Sequence, residues 1–196
     1  MLQNETRVML ITGAAGGIGR ATVKVFAESG WRVIGVDRRA DFGEPFPASG
    51  LYIQADISNP EELKRIIARA EQFTHTLDAL INNAAIQIPK PLLETSVEEW
   101  DLVMTHNLRS VFMGVKLAHP LLKAGGGGAI VNVSSVHAIC TSANIASYAA
   151  SKGGMLARSM GVSTAPGRIA LTRMLSGANS IAMARVSASR PPLLAA

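Results

Sequence analysis

The amino-acid sequence predicts an α/β protein with a doubly wound parallel sheet and helices on both faces, in three layers. Short apolar runs alternate five times with segments of helical periodicity, which is typical of strands joined by helices. A strand pattern, a glycine-rich turn and a helix start follow one another directly over residues 8–20. Asp37 ends the next strand pattern, about twenty residues beyond the turn.

The bulk composition fits one such domain. The chain has 196 residues, of which 48% are hydrophobic, so a sizeable core is possible. The single cysteine, Cys140, fits a reducing cytosol, and we interpret it as a small buried apolar side chain. No charged leader opens the sequence and no apolar run reaches the length of a membrane span. We expect a soluble, cytoplasmic protein with no membrane partner.

The net charge of +5 is unevenly distributed. Residues 102–196 carry nine Lys or Arg and no carboxylate, whereas residues 1–101 carry ten basic and fourteen acidic residues. A basic half can indicate nucleic-acid binding. These charges are scattered singly, without interleaved aromatic residues or a basic helical stripe, and we therefore predict no nucleic-acid partner.

Each predicted strand is a short apolar run that ends in a turn or leads into helical periodicity. The runs are Val8–Ile11, Val33–Val36, Leu51–Ile53, Ala79–Ile81 and Ala129–Ser134.

Helix signals separate these runs. One helix begins near Gly17 and ends at about Ser29, and a second begins at Asn59-Pro60, which supply an N-cap and a first-turn proline. Ser96 opens a capping box for a long helix that we expect to reach about Lys123, with a bend at Pro120.

The glycine-rich turn predicts an anion site. Its glycines permit positive φ and let backbone N–H groups approach a ligand closely. The helix start adds unpaired N–H groups and the positive end of the helix dipole, so a pyrophosphate is the expected occupant. Asp37 would then bind the ribose hydroxyls of a dinucleotide. The alternative is that Asp37 is a solvated loop acid.

Tyr148 and Lys152 are four residues apart and so share one face of a helix. A phenol ordinarily has a pKa near 10, and a neighbouring ammonium stabilises the phenolate. Such a pair can take a proton from an alcohol, or give one to a carbonyl, while hydride moves to or from a nicotinamide.

These motifs together resemble the short-chain dehydrogenase/reductase family with a single Rossmann domain. The resemblance covers residues 7 to about 160 and is carried by Thr12–Gly19, Asn82–Ala85, Asn107, Ser135 and Tyr148–Lys152. It implies a nicotinamide cofactor and hydride transfer between that cofactor and a small secondary alcohol or ketone.

The resemblance also implies a role for each catalytic position. Tyr148 is the general acid/base, Lys152 lowers its pKa and positions ribose, and Ser135 orients the substrate. Asn107 joins a relay of water and protons that reaches Lys152; the alternative is a hydrogen bond from Asn107 to nearby backbone.

The resemblance also implies which residues bind the cofactor. They lie in the glycine-rich turn and beside the expected positions of the adenosine and the nicotinamide. They are Gly13, Gly17, Ile18, Gly19, Asp37, Asp56, Ile57, Asn83, Ala84, Ala85, Tyr148 and Lys152. Asp37 favours NAD because a carboxylate repels a 2′-phosphate, whereas Arg38 and Arg39 favour NADP. We predict NAD, with NADP the less favoured alternative.

No metal is predicted, because the four histidines, His75, His106, His119 and His137, show no metal-ligand spacing. His137 lies close after Ser135 in the sequence. It either lines the substrate pocket or lies at the surface.

The sequence departs from the family beyond about Met160. Residues 165–172 resemble the proline-glycine loop that covers the nicotinamide in relatives, but they follow Lys152 too closely, and no strand pattern follows. An internal deletion or a reading-frame change near Met160 would explain this departure. We expect residues 1–160 to form the cofactor-binding domain, residues 161–196 to form an atypical, poorly ordered tail, and the last strand or strands to be missing.

The departure bears on function because the nicotinamide cover, the substrate lid and the usual subunit-interface helices lie at or after it. The alternative to an active enzyme is a truncated relative that retains only dinucleotide binding or the fold. A homo-oligomer is possible but less favoured than for intact relatives.

Overall fold

The computed structural model describes residues 6–158 and 170–172, and within them one parallel sheet organises the chain. Its strands are β1 (Val8–Thr12), β2 (Arg32–Asp37), β3 (Leu51–Gln54), β4 (Ala79–Asn82), β5 (Ala129–Asn132) and β6 (Ala170–Thr172). Their order across the sheet is β3-β2-β1-β4-β5-β6. The chain therefore runs from the centre to one edge and then from the centre to the other, which confirms the doubly wound fold.

Helices connect the strands. They are α1 (Gly17–Glu28), α2 (Pro60–Phe73), α3 (Val97–Met104), α4 (Ser110–Ala124) and α5 (Ala146–Arg158). A π-helical segment, Thr105–Arg109, joins α3 to α4, and short 3₁₀ turns lie at Leu92–Glu94 and Val136–Ala138.

The two faces of the sheet bury separate apolar cores, which makes the three predicted layers. Val8 and Leu10 of β1 belong to a core that includes side chains of α2 and α4, whereas Met9 and Ile11 belong to a core that includes Val23 of α1. The central strand β1 is thus covered on both faces, as parallel strands require.

Local side-chain chemistry sets both predicted helix starts. The Asn59 side chain accepts a hydrogen bond from the backbone N–H of Glu61 at 2.9 Å, directly before α2. At α3, Ser96 and Glu99 form a reciprocal capping box. These contacts satisfy N–H groups that a helix cannot pair internally, and they confirm the boundaries predicted from sequence.

The long helix predicted between Ser96 and Lys123 is divided. The interruption is the segment Thr105–Arg109, whereas Pro120 lies inside α4, which continues to Ala124. Pro120 is exposed, and its missing N–H costs one hydrogen bond on the solvent side of the helix. Helical periodicity does not distinguish an α-turn from a single π-turn, so the sequence did not indicate this break.

The last two strands of the sheet also differ from prediction. β5 ends at Asn132, two residues before the predicted Ser134. Ala170–Thr172 was expected to be loop, leaving β5 as an edge, but it forms β6 and pairs in parallel with Ala129–Val131. Backbone hydrogen bonds to an open strand edge need no long apolar run, which is why pattern analysis missed the strand. The rest of the predicted tail lies outside the described residues.

Cys140 was predicted to be buried, but it is exposed. It follows the 3₁₀ turn after β5, where the chain has already left the apolar core.

Candidate active site

The carboxyl ends of five neighbouring strands open onto one cleft of about 530 Å³. Gly13 follows β1, Asp37 ends β2, Asp56 follows β3, Asn83 follows β4 and Val133 follows β5, and all five residues line the cleft. It lies where the chain direction across the sheet reverses between β1 and β4, the usual ligand site of such sheets. Its size falls within the range of small-molecule sites, about 300–1,000 Å³.

Glycine is required at two positions of the turn for different reasons. Gly13 has a φ of +69°, and a Cβ there would lie 2.8 Å from Ala84 Cα. A Cβ on Gly19 would lie 2.0 Å from the Gly13 carbonyl oxygen, because α1 packs directly on the turn. Gly17, in contrast, faces open space on the cleft side, with no atom within 4 Å of a Cβ built on it.

The N-terminus of α1 differs from those of the next two helices. Its N-cap, Gly16, has no capping side chain, and its first turn carries no acidic residue. The first turns of α2 and α3 each contain two glutamates, and both helices are capped by a side chain. The N–H groups and the positive dipole end of α1 are therefore left for an external anion, which fits a dinucleotide pyrophosphate.

Hydrogen bonds join the ends of β1 and β4 beneath this turn. Thr12 Oγ1 accepts from the backbone N–H groups of Asn83 and Ala84, each at 3.2 Å. The Asn83 side-chain amide donates to the carbonyl oxygens of Thr12 and Gly13, each at 3.1 Å. Asn83, predicted to bind the cofactor, thus lines the cleft while its amide supports the turn.

Asp37 is held in place at the end of β2, beside the glycine-rich turn. Its carboxylate accepts from the backbone N–H of Ala15 at 2.9 Å and from that of Arg39 at 3.1 Å. The Arg39 guanidinium in turn donates to the Ala15 carbonyl oxygen at 3.0 Å. Arg38 and Arg39 both line the cleft beside Asp37, so the acid and the two cations considered from sequence meet at one place.

Asp56 faces a histidine that sequence analysis did not assign to the site. His106 Nε2 lies 3.4 Å from Asp56 Oδ1, and both residues line the cleft. Burial opposes ionisation of Asp56, but hydrogen bonds from Ser58 and the nearby His106 and Arg38 outweigh it and lower its pKa. The pairing depends on the π-helical segment that carries His106, a feature with no sequence signal.

Lys152 is almost completely buried, with 2% of its surface exposed. Its ammonium donates to the Val133 carbonyl oxygen at 2.7 Å, while Ser134 Oγ donates to the Lys152 carbonyl oxygen at 3.0 Å. These bonds fix α5 against the chain leaving β5. Burial lowers the pKa of Lys152 to about 8, because the charged form loses its hydration.

Tyr148 lies one helical turn before Lys152 and lines the same cleft. The Lys152 ammonium is 5.5 Å from the centre of the Tyr148 ring. On another side the ring contacts His137, with centroids 6.1 Å apart. Ser135 Oγ accepts from the His137 backbone N–H at 3.3 Å.

Asn107 is fully buried inside the π-helical segment. Its side chain exchanges hydrogen bonds with both backbone groups of Ile86, at 2.8 and 2.9 Å, and donates to Ser151 Oγ at 3.0 Å. Ser151 Oγ donates to the Tyr148 carbonyl oxygen at 2.7 Å. Asn107 therefore connects the loop after β4 to the helix that carries Tyr148 and Lys152.

The structure brings most of the predicted site residues together. Every predicted cofactor-binding residue except Gly19 lines the cleft, whereas Ser135 and Asn107 do not. Residues that line it without having been predicted lie at or after strand ends, or on the π-helical segment. They are Gly16, Val36, Ala55, Ile86, His106, Val133 and Ser134, together with the two arginines weighed above.

A sequence model of the short chain dehydrogenase family matches residues 7–190, which is most of the chain. The chain belongs to the short chain dehydrogenase family. The matched range extends thirty residues beyond 160, into the segment that sequence analysis set apart.

Curated relatives of this chain include two named enzymes of similar identity. A 3-oxoacyl-[acyl-carrier-protein] reductase from Thermotoga maritima is 34% identical over 78% of this chain and 65% of its own length. A cis-4-hydroxycyclohexanecarboxylate dehydrogenase from Sinomonas cyclohexanicum is 36% identical over 87% of this chain and 72% of its own.

Solved structures show the same fold. Ligand-free aldohexose dehydrogenase from Thermoplasma acidophilum is 30% identical, with a TM-score of 0.73 over 79% of this chain and 59% of that one. Levodione reductase is also 30% identical, with a TM-score of 0.73 over 78% of this chain and 63% of that one. The chain thus spans well under the full length of the relatives it matches.

No helix within residues 6–158 and 170–172 combines the length and apolar content needed to cross a membrane. No three His, Cys, Asp or Glu residues converge there in an arrangement that could hold a metal ion.

Gly19→Ala and Gly17→Ala are expected to separate folding from anion binding. The Gly19 variant forces a backbone shift against Gly13, so its melting temperature should fall by several degrees. The Gly17 variant has room for its methyl in the free protein and should melt like the wild type. We expect it to bind NADH about tenfold or more weakly, since a methyl there narrows the approach to the N–H groups of α1. Unchanged NADH affinity in fluorescence titration of Gly17→Ala would contradict the anion site.

Lys152→Met is expected to change how stability depends on pH. Between the folded pKa of about 8 and the ordinary value of 10.5, the unfolded wild type binds more protons than the folded form, so its stability rises with pH. The unfolding free energy of wild type minus variant should increase by about 3 kcal/mol from pH 7 to above 10.

Urea denaturation across that pH range measures this difference. Lys116→Met, at an exposed lysine on α4, is the matched control and should show a flat difference from wild type. A flat profile for Lys152→Met as well would mean that burial does not shift the Lys152 pKa.

Proposed function

We propose that this chain is an oxidoreductase that uses NAD to interconvert a small secondary alcohol and a ketone, with Tyr148 as general acid/base. The supporting observation is the position of Tyr148 and Lys152 at one end of a cleft whose other walls carry the α1 N-terminus and Asp37. Acid/base residues and an anion site in one cleft suit a dinucleotide whose reactive ring must reach the phenol.

The residues of the cleft fit the successive groups of such a cofactor. The α1 N-terminus would hold the pyrophosphate, Asp37 the adenosine ribose, and Asp56 with Ile57 the adenine. Lys152 would hold the second ribose. When bound, the nicotinamide supplies or accepts the hydride, and the protein supplies position and proton transfer.

Tyr148 handles the proton. In the direction of reduction its phenol donates a proton to the carbonyl oxygen as the carbonyl carbon is reduced, and in oxidation the phenolate takes the proton of the alcohol. Ser135 would orient the substrate oxygen beside Tyr148: its Oγ accepts from the backbone N–H of His137, whose ring contacts that of Tyr148.

Lys152 and Asn107 support this proton transfer. The buried Lys152 ammonium lies 5.5 Å from the centre of the Tyr148 ring, and its hydrogen bond to Val133 limits its movement. Asn107 acts as a positioning residue: its contacts with Ile86 and Ser151 hold α5 relative to the loop after β4. Its use in a water and proton relay to Lys152 is part of the proposal.

Asp37 supports NAD over NADP. A carboxylate fixed by two backbone N–H groups keeps its charge directed at the place of the 2′ substituent, where it would repel a phosphate. Arg38 and Arg39 favour the opposite choice, although one N–H of the Arg39 guanidinium is engaged by the Ala15 carbonyl oxygen.

The names of the relatives suggest the substrate class. A cyclohexane ring with a hydroxyl, an aldohexose and levodione occur among them, so a small oxygenated ring compound is the substrate class we favour for this chain. The second candidate function is dinucleotide binding without turnover, favoured by the departure of the sequence from the family pattern beyond about Met160.

Tyr148→Phe tests the catalytic assignment. Removing the phenolic proton should lower kcat by a factor of about 10²–10⁴ and leave NADH affinity within about threefold, because the ring itself is retained. Turnover of cyclohexanol with NAD and fluorescence titration with NADH measure the two effects.

The chain offers a matched control, since its other tyrosine, Tyr52, lies outside the cleft lining. Tyr52→Phe should keep kcat near the wild-type value. Retained turnover in Tyr148→Phe would remove Tyr148 from the acid/base role, and NADH binding without turnover in the wild type would support the second candidate function.

Asp37→Asn and Arg39→Leu test the choice of cofactor. The wild type should bind NADH about tenfold or more tightly than NADPH, and Asp37→Asn should reduce or reverse that ratio by removing the negative charge. Arg39→Leu should leave NADH affinity nearly unchanged. Tighter binding of NADPH by the wild type, lost in Arg39→Leu, would show instead that Arg39 binds a 2′-phosphate.

A further inference from the structure

His137 lies beside the catalytic tyrosine but outside the cleft assigned to the cofactor. Its ring meets that of Tyr148 edge-on, at a centroid distance of 6.1 Å and an interplanar angle of 73°. Tyr148 lines the cleft, whereas Ser135 and His137 do not. Tyr148 therefore borders both the cleft and the surface formed by Ser135 and His137.

One nitrogen of this histidine is unsatisfied. His137 Nδ1 is buried and has no hydrogen-bond partner among residues 6–158 and 170–172. In a neutral imidazole one nitrogen carries the proton and the other accepts. A buried N–H without an acceptor loses its bond to water and gains none, and such groups are rarer than unpaired acceptors. The proton is therefore assigned to Nε2.

The other nitrogen is accessible. The His137 ring as a whole is half-buried, and Nδ1 is its buried, unpaired atom. The Nε2–H group belongs to a ring that contacts Tyr148, and it has no acceptor among residues 6–158 and 170–172.

We propose that His137 is a specificity-determining residue whose Nε2–H donates a hydrogen bond to a second oxygen of the substrate, on the carbon next to the one that reacts at Tyr148. The preferred substrates are then vicinal diols and α-hydroxyketones. This inference rests on the proposed function, because it needs the reacting oxygen to lie at Tyr148.

Packing alone would explain the ring contact but not a preference among substrates. If His137 only supported the Tyr148 ring, the His137→Phe variant would keep its activity or would lose activity equally on all substrates. If His137 donates to a second substrate oxygen, the variant loses kcat/KM only for substrates that carry such an oxygen, since the missing donor leaves that oxygen unpaired.

Three variants and two alcohols separate these roles. His137→Phe keeps a ring without a donor, His137→Gln keeps an N–H donor near the position of Nε2, and His119→Phe at an exposed histidine of α4 is the control. The substrates are 1,2-cyclohexanediol and cyclohexanol, each oxidised with NAD.

For the diol, His137→Phe should lower kcat/KM by about tenfold or more, mainly through KM, and His137→Gln should restore most of it. For cyclohexanol, all variants should stay within about threefold of wild type. Equal losses on both alcohols, or no loss on the diol, would overturn the proposal while leaving the proposed function intact.

A second measurement does not depend on turnover. In protein labelled with ¹⁵N-histidine and saturated with NADH, the signal absent from His137→Phe identifies His137. We expect the Nε2–H tautomer, with an Nε2 shift on adding the diol and none on adding cyclohexanol. The Nδ1–H tautomer, or no response to the diol, would overturn the proposal. A wild type inactive on both alcohols would instead count against the proposed function, and the NMR result would then decide on His137.

Discussion

The hydrogen bonds between the ends of β1 and β4 are the constraint on which the cleft depends. Thr12 Oγ1 and the Asn83 amide together make four contacts across the point where the two halves of the sheet meet. Gly13 fits beneath Ala84 only because it lacks a Cβ. Since α1 begins from this turn and packs on it at Gly19, the direction of its N-terminus follows from the same contacts. The N–H groups that we propose bind an anion are thus positioned by the way two strands are joined.

Several polar side chains are buried at the same edge of the sheet, and their hydrogen bonds offset the free energy lost when they leave water. Asn82 and Asn132 occupy paired positions on β4 and β5, and their side chains bond to each other at 2.8 Å. Asn107 and Lys152 are buried just beyond them, each with partners on neighbouring elements. A fold that buries several polar groups close together is stable only when almost all of them form hydrogen bonds. Among residues 6–158 and 170–172, His137 Nδ1 is the exception, because it is buried without a hydrogen-bond partner.

Sequence patterns predicted the features whose cause is local. The strands, the Asn59 and Ser96 caps and the glycine-rich turn each depend on residues close together in the chain. The features that sequence missed arise from tertiary contacts. The π-helical segment, which brings His106 to Asp56, and β6, which pairs with the edge of β5, have no periodicity of their own. The placement of Ser134 rather than Ser135 in the cleft likewise follows from where β5 ends.

The candidate catalytic residues on α5 depend on few long-range connections. Asn107 joins α5 to the loop after β4, and Ser134 and Lys152 join it to the chain leaving β5. All of these contacts lie within the described residues before 159, as do the turn and Asp37. The contacts that hold α5 and shape the turn are therefore made within residues 6–158. They place Tyr148 on the cleft and against the ring of His137, so the same few hydrogen bonds set the position of this phenol.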